Sequence, residues 1–335
     1  MERTSLLNIM EIDTVDELES IRDEWTELFS RCASATPFQS PQWLIPWWNH
    51  FGNGRLMCLT VRIEGRLAGI APLYLGFNKT EKKKEIFFIG TGISDYLDFL
   101  FEPGIELIGT EIVFNFLLSS SVNWDRCDLQ EIKESSPTLA IDSGLSKRKE
   151  KHGICPVLKL PGTFEQYLKS LPSGYRTRVR RSQKTLEKEG KVKIEKAGRD
   201  NLNECMDALF RLHRARWEME GQKGVLADKR IQAFHSELAK GMLEAGMLRL
   251  YRLKLDGRDI AAVYGFAKSK RFYSYLGGFD PEFLKLSPGR VLMAKVIEDE
   301  INSGIEEFDF LRGEEKYKYV WGALDRINYR LIIER

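Results

Sequence analysis

The chain has 335 residues, 43% hydrophobic and 30% charged, an ordinary globular mixture with room for about two domains. Its 51 basic residues stand against 49 acidic ones, so a wholesale nucleic-acid binder is excluded, no DNA partner is expected, and any polyanion contact must be local. The five cysteines form no CxxC pair and the four histidines no HxxxH pair, which argues against a disulfide scaffold and leaves no metal site to expect.

Acids fill the first twenty residues where a signal peptide needs a basic start and an apolar core. No apolar run approaches the roughly 18 residues of a membrane span, so a cytoplasmic protein without a span is expected. Helical patterns follow at 16–31 and 41–51, the second opened by Ser40 and Pro41 as cap and first helical residue. Trp43 and Trp47 share a face of it, and packing between helix and sheet explains them better than a sugar platform.

Residues 56–75, LMCLTVRIEGRLAGIAPLYL, read as a hairpin around Glu64-Gly65-Arg66. The turn Gly90-Thr91-Gly92 leads to Asp95-Tyr96-Leu97-Asp98, where two acids bracket an aromatic; they could hold a polar substrate or merely cap a turn. Pro103-Gly104, an apolar helix and a strand with Asp128 close this half. The Pro- and Gly-rich stretch 142–175 holds the boundary, placed near 155 to give domains 1–155 and 156–335.

The second half opens with a helix carrying Arg176, Arg178, Arg180, Arg181 and Lys184 with no acid among them, either a phosphate-binding face or a solvated one. Helices at 200–220 and 228–245 follow. In the first, His213 lies on an apolar stripe and reads as a core histidine, with Arg214, Arg216 and Trp217 beside it and within reach of a cleft. Residues 248–267, LRLYRLKLDGRDIAAVYGFA, repeat the earlier hairpin around Asp256-Gly257-Arg258. Downstream, Pro288-Gly289 answers Pro103-Gly104 and Asp309 answers Asp128, so the chain reads as two copies of one α+β unit, each a mixed sheet flanked by helices.

Two clusters in this half carry chemistry. Ser287-Pro288-Gly289-Arg290 opens helix 289–303, where Ser287 would cap and the amides of Gly289, Arg290 and Val291 would face an anion. In the run from Phe308 to Trp321, Asp309 sits within a buried strand with Arg312 as a candidate partner, and the phenols of Tyr317 and Tyr319 suit protonation of a thiolate. A structural ion pair followed by an amphipathic turn explains the same residues.

The motifs FQSPQW, GTGISDYLD, YRTRVRRSQKTLEKEG, LFRLHRARW, YLGGFDP, LSPGRVL and FDFLRGEEKYKYVWG, in this order, resemble the CelD-like branch of the GNAT acetyltransferase superfamily, associated with cellulose and exopolysaccharide production. The architecture is similar to that of the Fem aminoacyltransferases, which carry two GNAT-type units. The resemblance implies an enzyme: tandem GNAT-like domains, a degenerate first one serving substrate binding and a second holding acetyl-CoA or another acyl-CoA at Ser287, Gly289, Arg290 and Val291. It implies acyl transfer to an amine on a sugar or cell-envelope precursor, with Asp309 or Asp280 as base and Tyr317 or Tyr319 as acid. Asp95, Tyr96, Asp98, Arg176, Arg180, Arg216, Trp217, Arg312 and Lys316 would bind the acceptor. Aminoacyl-tRNA as donor, or a non-catalytic binding protein on the same fold, are the alternatives.

Overall fold

A glycine after an acid in a two-residue connection favours positive φ at both positions, the turn whose twist matches the strands it joins. The computed structural model, which describes residues 7–119, 121–142 and 144–335, has this turn twice. Glu64 and Gly65 take φ of 51° and 84°; Asp256 and Gly257 take 47° and 85°. The chain divides into two compact units, Met1–Ile154 with Ile327–Arg335, and Cys155–Arg326.

The first unit runs β1 (Leu7–Ile12), α1 (Val15–Ser20), α2 (Arg22–Arg31), α3 (Pro41–Phe51), β2 (Arg55–Ile63), β3 (Arg66–Asn78), β4 (Lys83–Phe88), the short β5 (Leu100–Phe101), α4 (Glu106–Ser119) and β6 (Arg126–Lys133). The expected helix 16–31 is interrupted at Ile21, whose ψ of 5° separates α1 from α2. Strands β1 to β4 pair antiparallel in sequence order, and β6 lies parallel to β4. Trp43 is fully buried and its indole N–H donates to Ser94 Oγ at 2.9 Å, so the tryptophans of α3 belong to the core.

Strand β7 (Ser146–Lys159) leads into the second unit: α5 (Phe164–Ser170), α6 (Ser173–Glu189), β8 (Val192–Lys196), α7 (Leu202–Met219), α8 (Lys229–Glu244), β9 (Leu248–Leu255), β10 (Arg258–Lys268), β11 (Arg271–Phe279), α9 (Pro288–Asn302), β12 (Glu307–Asp309) and α10 (Lys316–Val320), after which β13 (Leu324–Glu334) begins in this unit and ends in the first. Strands β8 to β11 pair antiparallel in order, and β12 is parallel to β11. The core of this unit sets α5, α6 and α9 against the sheet through Tyr167, Val179, Leu186, Leu292 and Ile297. The same order of hairpin, third strand, helix and parallel strand thus occurs in both units, as the repeated motifs imply.

Residues 327–335, placed in the second domain by the sequence, group with the first unit. The reason is strand pairing: Asn328 to Glu334 run antiparallel to β6, and the Arg330 guanidinium meets Asp128 with two contacts of 2.6 Å.

Candidate active site

In the second unit the pairing of β12 with β11 stops after Arg271–Tyr273 against Glu307–Asp309. From Ser274 to Phe279, β11 continues along β10 with no pairing to β12, and Ser274 to Gly277 are half-buried. The register with β10 breaks between Tyr264 and Gly265, leaving Tyr275 as an extra residue, a bulge of the kind that re-aims side chains. An open strand edge in mid-sheet offers main-chain donors and acceptors to an extended ligand.

Beyond this edge lies the N-terminus of α9. Ser287 stands at the capping position, but with φ of 54° and no capping bond from its side chain. Its carbonyl accepts the N–H groups of both Arg290 (3.0 Å) and Val291 (3.2 Å), so neither amide is available to an anion. Val291 is the fourth helical residue, whose N–H bonds inside any α-helix; the cradle expected from the sequence is therefore reduced to the Gly289 amide. Side chains take over much of its task. Arg290 donates to Ser182 Oγ (3.0 Å) and Ser287 Oγ (3.2 Å) and lies over the Tyr175 ring at 5.9 Å, where Arg178 of α6 also lies, at 5.4 Å. Two guanidinium groups from two helices thus lie about one ring, that of Tyr175, with Arg290 alone at the helix N-terminus.

At the other side of the opening, Asp309 is fully buried. Its Oδ1 accepts the Leu311 N–H (2.8 Å) and its Oδ2 meets Arg326 Nη1 (3.3 Å), a partner the sequence did not suggest. In the first unit Asp128 is held by Arg330 in the same way, so the acid–arginine pair recurs as a feature of the fold. Leu311 then turns with φ of 56°, and the buried Lys318 donates to the carbonyl oxygens of Leu311 (3.0 Å), Arg312 (2.9 Å) and Gly313 (3.0 Å) while pairing with Glu315 (2.9 Å). This clamp fixes the loop that presents Tyr317. Although the residue is 41% exposed, desolvation, helped by the nearby Glu315 and opposed by Arg216, pushes its phenol up to about 12. It stays protonated at neutral pH and can donate.

The other residues named from the sequence scatter. Asp280 starts a short turn, accepting the Glu282 N–H at 3.1 Å, and pairs with Arg258 at 2.7 Å. The Tyr319 hydroxyl donates to Asp325 (2.9 Å), Arg176 donates to the Lys169 carbonyl (3.3 Å) and Arg180 pairs with Glu165 (3.1 Å). Arg312 and Lys316 are exposed. Arg216 lies over the Trp217 ring (5.3 Å) and pairs with Glu220 at 3.7 Å. The Trp217 indole donates to His213 Nε2 at 2.9 Å, which puts the neutral ring's proton on Nδ1. His213 and His235 are both 1% exposed, and burial holds them down at about 4 and about 3. In the first unit Asp95 is buried and its carbonyl accepts from Asn328 (2.7 Å). Lys133 Nζ lies 5.2 Å from the centre of the buried Tyr96 ring, and Asp98 accepts from Thr138 Oγ1 (2.7 Å).

An open central strand, a helix N-terminus with Arg290 beside it and the protonated phenol of Tyr317 make up the candidate site. Residues 173–319 match the family model described as an acetyltransferase (GNAT) domain. The matched stretch lies within the second unit, which therefore carries a GNAT-type acyltransferase domain, a mixed sheet flanked by helices. In fold the chain is similar to FemX, with a TM-score of 0.67 at 12% identity over 96% of each chain. It is also similar to the C-terminal domain of a putative lysylphosphatidylglycerol synthetase from Agrobacterium fabrum (0.59, 12%, 94% of this chain and 92% of that one). A third likeness is to L-PGS from Bacillus licheniformis (0.58, 11%, 97% and 93%). At these identities the likeness is one of fold. No curated protein sequence matches. Among the described residues no helix is long and apolar enough to cross a membrane.

Proposed function

We propose that the second unit transfers an acyl group, most simply acetyl, from a CoA thioester to an amine. The observation that carries this is the juxtaposition of Arg290 and the Gly289 amide at the N-terminus of α9, with Arg178 beside the same Tyr175 ring as Arg290, just beyond the open edge of β11. Phosphates would sit at the helix end and the extended pantetheine arm along the strand. The amine nitrogen attacks the thioester carbonyl; the C–N bond forms, the C–S bond breaks, the thiolate takes its proton from Tyr317, and Tyr317 recovers one from the solvent to which the amine has lost its own. Holding both reactants in line supplies much of the rate. Asp309, Asp280 and Tyr319, already engaged with partners, act in this reading as positioning residues. The link to exopolysaccharide or cell-envelope precursors as acceptors rests on the CelD-like motifs, and a CoA donor fits a cytoplasmic location.

The test is thermal stability of the protein across an acetyl-CoA titration. A ligand that binds the folded state alone must stabilise it, by about 2.7 kcal/mol at a hundredfold excess over Kd. Saturating stabilisation, lost in Arg290→Glu, is expected; no shift with any CoA thioester overturns the reading. One observation favours a second reading, transfer from aminoacyl-tRNA. Arg181, Lys184 and Lys188 are exposed on α6, whose opposite face buries Tyr175, Val179 and Leu186. Total RNA as a parallel ligand separates the two readings, because RNA binding weakens steeply with salt.

A further inference from the structure

The first unit contains a cavity of about 370 Å³, at the lower end of the range that holds small ligands. It lies between the segment after β4, the N-terminus of α4 and the segment after β6. By the internal repeat this is the counterpart of the opening described in the second unit, yet its chemistry is reversed. Where Gly289 and Arg290 stand in α9, the first residue of α4 is Glu106, whose carboxylate accepts the Gly104 N–H at 2.8 Å and so occupies the helix end with negative charge. Asp98 adds a second carboxylate to the wall, fixed by Thr138 Oγ1 and by its neighbour's N–H from Phe99 at 2.9 Å. The cation on the wall, Lys133, already donates to the Ser34 carbonyl (3.0 Å) and leans on Tyr96. Serine and threonine hydroxyls, among them Ser135 and Thr138, complete the lining.

From this juxtaposition we infer that the first unit binds a small polyhydroxylated amine, of amino-sugar size, with its ammonium at Asp98 and Glu106 and its hydroxyls on the Ser and Thr side chains. The Glu106 carboxylate at the start of α4 takes the place an anion would fill, so the phosphate chemistry of the second unit has no counterpart here. The hydroxyl-rich wall pairs with vicinal alcohols in a way a purely apolar amine cannot return, because unmatched buried polar groups weaken binding. The site stands on the cavity alone; if the ligand is the acceptor, it supplies the amine proposed above.

The experiment is calorimetric titration of the full chain, with no acyl donor present, using D-glucosamine as probe and D-glucose and D-glucuronate as controls. Glucosamine is expected to bind with a Kd of about 1 mM, the range for so small a ligand, and more tightly than either control. Asp98→Asn, which retains the oxygen that Thr138 and Phe99 bond, should weaken it about tenfold or more. Glu106→Gln, at the half-buried start of α4, is the second variant, and an unchanged melting temperature shows that each is folded. Absence of glucosamine binding, glucuronate binding as well as glucosamine, or affinity unchanged in both variants overturns the inference. Because no thioester is present, failure of acyl transfer and failure of this site are separate results.

Discussion

The paired histidines of the second unit make a quantitative prediction about acid stability. His213 and His235 are folded as neutral rings, held at about 4 and about 3 against 6.5 in the unfolded chain. A depressed folded value means the stabilisation is complete above 6.5 and is lost as pH falls toward the folded values, because the unfolded chain takes up protons that the buried rings refuse. Between 6.5 and about pH 5, each ring loses some 1.5 pH units at 1.36 kcal/mol, or about 2 kcal/mol, and the two together about 4 kcal/mol. Carboxylates of ordinary pKa contribute chiefly below this window, and Glu85, Asp98 and Glu300, raised by desolvation, act against the loss. Urea denaturation at about pH 7.5 and about pH 5 measures the loss, and His235→Phe should remove about half of it. A wild-type loss below about 1 kcal/mol, or a variant that keeps the full pH dependence, would refute the assignment of these rings as neutral and buried.

Other perturbations follow from single contacts. Lys318→Met strips three carbonyls of their donor and should cost about 2–4 kcal/mol, while opening the chain after Arg312 and Lys316 to trypsin. Gly278 lies on β11 where an added Cβ would stand 2.3 Å from the His213 nitrogen and 2.4 Å from the Leu212 carbonyl carbon, both backbone atoms; Gly278→Ala should therefore destabilise by about 1–3 kcal/mol in a denaturation series. Gly65→Val and Gly257→Val place a branched residue at φ of 84° and 85°, and equal losses of about 1–2 kcal/mol are expected from equivalent turns. Tyr317→Phe should lower turnover of an acyl thioester about a hundredfold or more with little change in donor affinity, read as kcat against KM.

What is legible in the sequence is what local chemistry dictates. Acid-glycine pairs force a narrow turn, so both hairpins and the repeat stand out in the residues themselves, and with them the mixed α+β architecture. The helix start at Pro288 is legible for the same reason, since proline and serine favour that place. Its hydrogen bonds are not. Ser287 adopts a left-handed conformation that residue type alone does not disclose, and its carbonyl then consumes the amides of Arg290 and Val291. Long-range partners are equally hidden. Arg326 meets Asp309 from a strand far along the chain, and Lys318 looks like one more charge in a polar run because only the fold turns it inward. Arg178 and Ser182 are screened by their basic neighbours, since residue type alone does not say which guanidinium lies over Tyr175 or which side chain meets Arg290.

The division of the chain has a consequence for its synthesis. Residues 155–326 separate the body of the first unit from Ile327–Arg335, the stretch that pairs with β6 and brings Arg330 to the buried Asp128. A ribosome adding about 5–20 residues each second needs on the order of ten seconds or more to cross that interval. Throughout it the nascent first unit waits with a strand edge unpaired and an aspartate without its cation, whereas the second unit has all its residues before the chain reaches 327. The order of translation is therefore not the order of completion: the half made first is finished last, and the interval between is when the chain is most exposed to mispairing or capture by a chaperone.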